Sequence, residues 1–277
     1  MVENYHEQNR KSWNAATEQH HSHKPDLVQK YVDGYNNLHD TEIALLGDVA
    51  GKSLVHLQCN DGQDTVSIGK HLGAKVTGID ISDTAIAKAQ EIASAMSLDA
   101  TFVREDIFTW CENTDARFDV VYTGYGALNW LADIERWGQC IERVLNYNGR
   151  LVLVEFHPLL GMLDYEWQTT YNYMGGKPEA SDGVSDYVGN DFEGTFQNPH
   201  NAYEFAWGIG EVVSALLSAG LTLTNLTEYP YVNGWQALPD LRGENVSTTG
   251  KTRYYPPENK PAIALMYSIV ATKWSPF

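Results

Sequence analysis

Asp80, Asp106, Glu155 and His157 each stand at the end of an apolar run that reads as a β-strand, where side chains most often meet ligands. The run Leu54-Val55-His56-Leu57 passes through Gln58-Cys59-Asn60-Asp61 into a closing Gly62, and Ile79-Asp80-Ile81 ends the next run 18 residues after that glycine. In a parallel α/β sheet this spacing sets a carboxylate beside the first turn, where it accepts hydrogen bonds from ribose hydroxyls. The alternative for Asp80 is a cap on the helix starting near Asp83. Loops that bring backbone N–H groups up to a pyrophosphate need glycines. Here Gln58 and Asn60 replace them, which argues against NAD more than against a nucleoside without a pyrophosphate. Asp106 closes the third run beside Ile107, with Glu105 as its neighbour. His157 lies just past the fifth run and could take a proton from an oxygen or nitrogen nucleophile, with Glu155 as the second candidate. Equally, His157-Pro158 could only turn the chain out of the sheet.

Strands and helices must alternate to hold these residues at one edge. Strands are predicted over 54–58, 75–80, 100–104, 118–122 and 150–156, and helices over 63–71, 83–96 and 133–145. Ser82 or Asp83 can cap the second helix, Asp133 caps the third, and Asn148-Gly149 follows it. The nearly continuous apolar run at 150–156 is the mark of a parallel strand covered on both faces. A doubly wound α/β sheet follows. A helix over 210–219, ended by Gly220, and strands over 221–229 and 262–272 complete it. Two aromatic, irregular stretches, about 157–206 and 229–257, read as caps or binding loops. Ahead of the sheet, 27–46 has the apolar spacing of an amphipathic helix. His20, His21 and His23 read as a solvated or mobile segment, since adjacent histidines cannot face one ion from regular structure.

The formal charge of −17 comes without any Lys/Arg cluster, which argues against nucleic acid and against an anionic membrane surface. A neutral or cationic small molecule is the easier partner. Cys59, Cys111 and Cys140 make no C-x-x-C pair and read as reduced thiols in a cytoplasmic protein; Cys59 reads as a small core residue. No run approaches a membrane span or the apolar core of a signal peptide.

Three segments resemble the motifs of class I S-adenosylmethionine-dependent methyltransferases: 56–65 (His-Leu-Gln-Cys-Asn-Asp-Gly-Gln-Asp-Thr), 76–82 (Val-Thr-Gly-Ile-Asp-Ile-Ser) and 102–107 (Phe-Val-Arg-Glu-Asp-Ile). The first is similar to a subgroup reading His-Leu-Gln-Cys-x-x-Gly, which also shares Tyr125-Gly126, Trp130-Leu131 and 154–158 (Val-Glu-Phe-His-Pro). The resemblance runs from about Trp13 to Lys273. It implies a seven-stranded Rossmann-like sheet, mostly parallel with an antiparallel last strand. Residues 1–50 would form a helical lid over the cofactor, and 51–277 the methyltransferase domain, with insertions at about 157–206 and 230–261.

The cofactor implied is S-adenosylmethionine. Asp80, with Ile81 beside it, would take the ribose; Asp106 and the Ile107 N–H the adenine; and His56, Gln58, Asn60, Gly62 and Thr123 the aminoacyl side. Tyr125, Asn129, Trp130, Tyr203, Trp207 and Trp235 are candidate walls for the acceptor, a small organic molecule methylated at oxygen or nitrogen. No carboxylate set resembles the divalent-metal site of catechol methyltransferases, so no metal is expected. Rival readings are an adenosylmethionine-binding protein that does not methylate, a cyclase, and an NAD(P)-dependent oxidoreductase, for which the Tyr-x-x-x-Lys pair is missing.

Overall fold

The computed structural model describes residues 2–188 and 195–276. Helices α1 (Val2–Ser22), α2 (Leu27–Val32) and α3 (Asp40–Leu46) precede the sheet. Alternation then begins with β1 (Ser53–Leu57), α4 (Gln63–Leu72), β2 (Lys75–Asp80), α5 (Asp83–Ala95), β3 (Ala100–Arg104) and α6 (Ile107–Asn113). It continues through β4 (Phe118–Gly124), a single 3-10 turn at Leu128–Trp130, α7 (Ile134–Val144) and β5 (Leu145–Phe156). The remainder is α8 (Pro158–Gly161), β6 (Pro178–Ser181), β7 (Ala202–Phe205), α9 (Ile209–Ser218), β8 (Thr222–Tyr229), β9 (Val232–Asn233), β10 (Arg242–Asn245), β11 (Thr252–Tyr255) and β12 (Met266–Thr272).

Seven strands form the main sheet in the order β3-β2-β1-β4-β5-β12-β8. The first five are parallel, and β12 lies antiparallel between β5 and β8. Side chains alternate across it, as the pleat requires. Val55 and Leu57 of β1 face a core shared with α6, α7 and α9, whereas Leu54 faces the core under α3 and α4. Both faces are covered, which explains the near-continuous apolar runs of β4 and β5. Helix α7 approaches α9 closely enough that a Cβ at Gly138 would lie 2.6 Å from the Ala215 carbonyl oxygen. Helix ends follow local chemistry: the Ser82 hydroxyl accepts from the Ala85 N–H at the start of α5, and the Asp133 side chain from the Arg136 N–H at the start of α7.

Several sequence expectations are corrected. The stretch 27–46 is two short helices, α2 and α3, with a break over 33–39. The His20–His23 stretch is not a solvated tail: α1 runs through Ser22, His20 is 5% exposed, and the imidazoles of His21 and His23 meet Asp61 and Asp186. The small strands β6, β7 and β9–β11 lie in stretches read as irregular, and helix α6 lies in a stretch given no element. Part of the first insertion, 189–194, lies outside the described residues. No helix among the described residues is long and apolar enough to cross a membrane.

Candidate active site at the carboxyl ends of β1 to β5

The turn after β1 keeps a glycine loop's backbone without its glycines. Gln58 (φ 56°), Asn60 (φ 49°) and Gly62 (φ 73°) are all left-handed. For a residue with a Cβ this conformation costs roughly 1–2 kcal/mol, least for asparagine. Tertiary bonds hold it: Gln58 Nε2 donates to the Ala127 carbonyl oxygen at 2.7 Å, and the Asn60 N–H donates to Asp80 Oδ2 at 2.8 Å. Gly62 is required for packing as well, because a Cβ there would lie 2.6 Å from Ala89 Cβ.

Asp80 ends β2 beside this turn. Its Oδ2 accepts from Asn60 and its Oδ1 from the Ser82 N–H at 2.8 Å. A carboxylate has about four lone-pair sites, so two remain for a ligand. Burial pushes the Asp80 carboxyl up to about 6, against the pull of those two amides. Asp106, after β3, caps α6 through Oδ1, which accepts from the Phe108 and Thr109 N–H groups at 2.9 and 3.1 Å. Its Oδ2 meets His6 Nδ1 at 2.5 Å. Because His6 Nε2 accepts from the Ala132 N–H at 3.1 Å, the ring proton sits on Nδ1 and is donated to Asp106. Burial raises the Asp106 carboxyl, but the His6 bond and the cap outweigh it and hold it below the usual range.

His6 belongs to α1, which crosses the tips of β1, β2 and β3. Asn14 Oδ1 accepts from the Ser82 hydroxyl at 2.7 Å, Arg10 pairs with Asp83, and His21 Nε2 lies 3.0 Å from Asp61 Oδ2. These polar contacts place α1 over the strand ends that Asp80 and Asp106 mark.

His56, on β1, points under the turn. Its Nδ1 meets Thr65 Oγ1 at 2.8 Å, its ring packs 4.7 Å from Tyr122, and burial depresses it to about 3, so it stays neutral. Thr123, one residue before the end of β4, is fully buried, and its Oγ1 has no partner; Gln58 Oε1 has none either. Ile81 follows Asp80 at the β2 tip, and Ile107 opens α6.

Both candidate bases, Glu155 and His157, are engaged by the protein's own groups. Glu155 is buried and both its oxygens are taken by backbone: Oε1 by the Gly126 and Phe156 N–H groups, Oε2 by those of Ala127 and Leu128 at 2.8 and 3.1 Å. This carboxylate builds the Tyr125–Leu128 turn and has no lone pair free for a substrate proton. His157 Nδ1 accepts from the Leu159 N–H at 3.1 Å, capping α8, and Nε2 donates to Glu228 Oε1 at 2.8 Å on β8. Burial lowers its basicity, partly offset by Glu228. His157→Ala should therefore cost about 1 kcal/mol of stability, as for a lost cap, with turnover changed less than threefold. Denaturant titration beside an initial-rate assay checks this; a large rate loss at unchanged stability would restore the base.

The candidate acceptor walls split into separate groups. Tyr125 and Trp235 both flank Phe156, at ring distances of 5.8 and 4.7 Å. Trp130 packs on Trp13 of α1 at 5.3 Å, and Tyr203 on Tyr5 at 4.8 Å. Asn129 Nδ2 donates to Glu204 Oε2 at 3.0 Å, while Trp207 donates to the Leu131 carbonyl oxygen at 2.8 Å and joins the core. Sequence reasoning missed the contacts of His6 and Asp61, which join α1 to the strand ends and carry no local signal. Among the described residues no group of three or more His, Cys, Asp or Glu side chains could hold a metal ion.

Comparison with known proteins bears on the fold that carries this site. Residues 55–149 match a family model described as a methyltransferase domain. No curated protein sequence matches the chain. Among solved structures, it is similar to an S-adenosylmethionine-dependent methyltransferase from Mesorhizobium loti (17% identity, 87% of this chain and 99% of that one, TM-score 0.53). Another is a putative S-adenosylmethionine-dependent methyltransferase from Listeria monocytogenes (18%, 84% and 94%, TM-score 0.56). A third is geranyl diphosphate C-methyltransferase from Streptomyces coelicolor, solved with Mg2+, geranyl diphosphate and S-adenosyl-L-homocysteine (13%, 84% and 78%, TM-score 0.50). The chain has the seven-stranded fold of these solved S-adenosylmethionine-dependent methyltransferases, and its residues 55–149 match the methyltransferase-domain model.

Proposed function

We propose that this protein transfers the methyl group of S-adenosylmethionine to a small organic acceptor, at nitrogen or oxygen. The observation that carries this is the pairing of Asp80, with lone pairs left over, with a first turn that is left-handed at Gln58, Asn60 and Gly62. A sulfonium supplies an already activated methyl group, so the protein has to bind, orient and exclude water. Asp80 would accept from the ribose hydroxyls and Asp106 from the adenine amino group, with Ile107 offering its N–H. Gln58 Oε1 and Thr123 Oγ1, buried without partners, suit the donors of the aminoacyl end.

Helix α1 would exclude water from the nucleoside, and His6 would be its latch on Asp106. His6→Ala removes the ring between Asp106 and the Ala132 N–H. At about 1 kcal/mol for a lost hydrogen bond, the cofactor should dissociate roughly fivefold faster, measured by stopped-flow displacement; an unchanged off-rate would separate α1 from cofactor retention. The reading as a whole is tested by calorimetric titration with S-adenosylmethionine and NADH. Binding of the first with a one-to-one stoichiometry supports it. Binding of NADH alone overturns it.

A further inference from the structure

Beneath α3 lies a group of buried polar atoms that the cofactor site does not use. Glu42 Oε2, Tyr122 OH, Asn233 Oδ1 and His39 Nδ1 all lack a hydrogen-bond partner. Glu42 and Tyr122 are fully buried and Asn233 is 4% exposed. They belong together. Asn233 Nδ2 donates to the Tyr125 hydroxyl at 3.0 Å and to Thr41 Oγ1 at 3.2 Å, and the Tyr125 hydroxyl faces Glu42. The His39 ring lies 6.4 Å from that of Tyr125. Glu42 Oε1 accepts from the His39 N–H at 3.2 Å, so one carboxylate oxygen is held and the other is not.

Native interiors leave few buried polar atoms unmatched, because each has given up its water without gaining a partner. Four at one place, one of them a carboxylate oxygen, are complementary to something absent. The place adjoins the reaction centre already described: Tyr125 directly follows β4, which pairs with β1 through His56 and Tyr122. Phe156 and Trp235, with tilted rings 4.7 Å apart, extend the wall from Tyr125.

We propose that this buried polar cluster forms the chamber that receives the amino group of an arylalkylamine acceptor and that Glu42 takes its proton. This deepens the methyl-transfer reading and rests on it. The unmatched Glu42 Oε2 and Asn233 Oδ1 are both acceptors, so they call for two polar hydrogens on one group. An ammonium supplies them, whereas a hydroxyl carries one. Aromatic faces beside a carboxylate favour a cation, in keeping with the acidic chain. The ammonium gives one proton to Glu42, baring the nitrogen lone pair. That pair forms the new carbon–nitrogen bond while the methyl carbon leaves the sulfonium with the bonding electrons kept by sulfur, and the Glu42 proton then passes to solvent.

The electrostatics suit that task. Burial, then the charge of Asp64 on α4, pushes Glu42 up to about 7, opposed by the His39 N–H and Tyr125. Tyr122 and Tyr125 face it from β4, and His39 is kept neutral, at about 4, by burial and by Lys251, with Arg253 adding to this against the pull of Asp40.

Calorimetric titration of the whole chain with a panel of arylalkylamines, led by phenethylamine, and with 2-phenylethanol tests this in wild type and Glu42→Gln. An amine should bind wild type more tightly than its alcohol, and the variant should lose about 10–100-fold for the amine alone. Repeating the titration in phosphate and Bis-Tris at pH 6, below the Glu42 value near 7, should show a proton released to buffer on amine binding to wild type and not to the variant. Thermal melting keeps the result interpretable. Glu42 weakens the fold as pH rises from its unfolded value near 4.5 to its folded value near 7. Glu42→Gln should therefore melt higher by roughly 5–10 °C at pH 8 and equally at pH 4. Equal binding of amine and alcohol, no binding of any amine, or an unaffected variant means a chamber filled by ordered water and overturns the proposal. If amines bind but S-adenosylmethionine does not, the methyl-transfer reading fails and the chamber stands.

Discussion

Asp80→Asn should bind S-adenosylmethionine about 100-fold or more weakly while remaining folded, as two charge-assisted hydrogen bonds to ribose contribute about 1.5–3 kcal/mol each. The substitution keeps the shape of the side chain. It exchanges one acceptor for an amide NH2 that faces either the Asn60 or the Ser82 N–H, so about 1–3 kcal/mol of stability is lost as well. Calorimetry gives the affinity and urea denaturation the stability. Wild-type affinity in a folded variant would remove Asp80 from the site. A pH series adds a second check. Asp80 titrates near 6, and only its ionised form offers both oxygens as acceptors, so affinity should be level above pH 7 and fall as pH drops through 6.

Glu155→Ala should be the most destabilising single change at the strand ends. Four backbone N–H groups, those of Gly126, Ala127, Leu128 and Phe156, would lose their acceptor in one step. At about 1–3 kcal/mol for each buried orphan, with water entering to satisfy some, the expected loss is about 4–5 kcal/mol. That is a large share of the 5–15 kcal/mol that typically holds a domain together. Glu155→Gln keeps one oxygen and should fall about midway. Tyr125, left-handed at φ 56°, depends on this turn for its direction, so the amide variant should also lose acceptor affinity. Denaturant titration of both variants decides. A Glu155→Ala protein as stable as wild type but unable to transfer methyl would return the carboxylate to the role of base.

How far the chain could be read beforehand depended on what each segment buries. Strands β1 to β5 and helices α4, α5 and α7 bury regular apolar faces, and their predicted bounds lie within a few residues of those observed. Asp80 was legible because a carboxylate after Val76-Thr77-Gly78-Ile79 interrupts an apolar run at the strand tip. Helix α1 was implied only by the family resemblance, since it docks largely through His6, Arg10, Asn14 and His21 onto carboxylates and a hydroxyl, with few apolar residues to mark a face. Strands β10 and β11 pair at the surface with little burial and leave no alternation. Glu42, third residue of α3, looks like an ordinary capping-box glutamate, and its Oε1 does accept from the His39 N–H. Only the closure of β9 and the β4 end over α3 turns it into a buried carboxylate, a tertiary fact with no local sign. For His157 the sequence offered both a base and a chain turn, and the engagement of both its nitrogens by α8 and β8 is a tertiary fact with no local sign.

The insertion of β12 between β5 and β8 sets an order on biosynthesis. Strand β8 leaves the ribosome with no neighbour to join, since its place beside β5 is reserved for a strand that comes 36 residues later. At roughly 5–20 residues per second, two open strand edges persist for several seconds in the nascent chain. Sheet completion is thus delayed until β12 has emerged, and that interval is when the polypeptide is most exposed to aggregation and to chaperone capture.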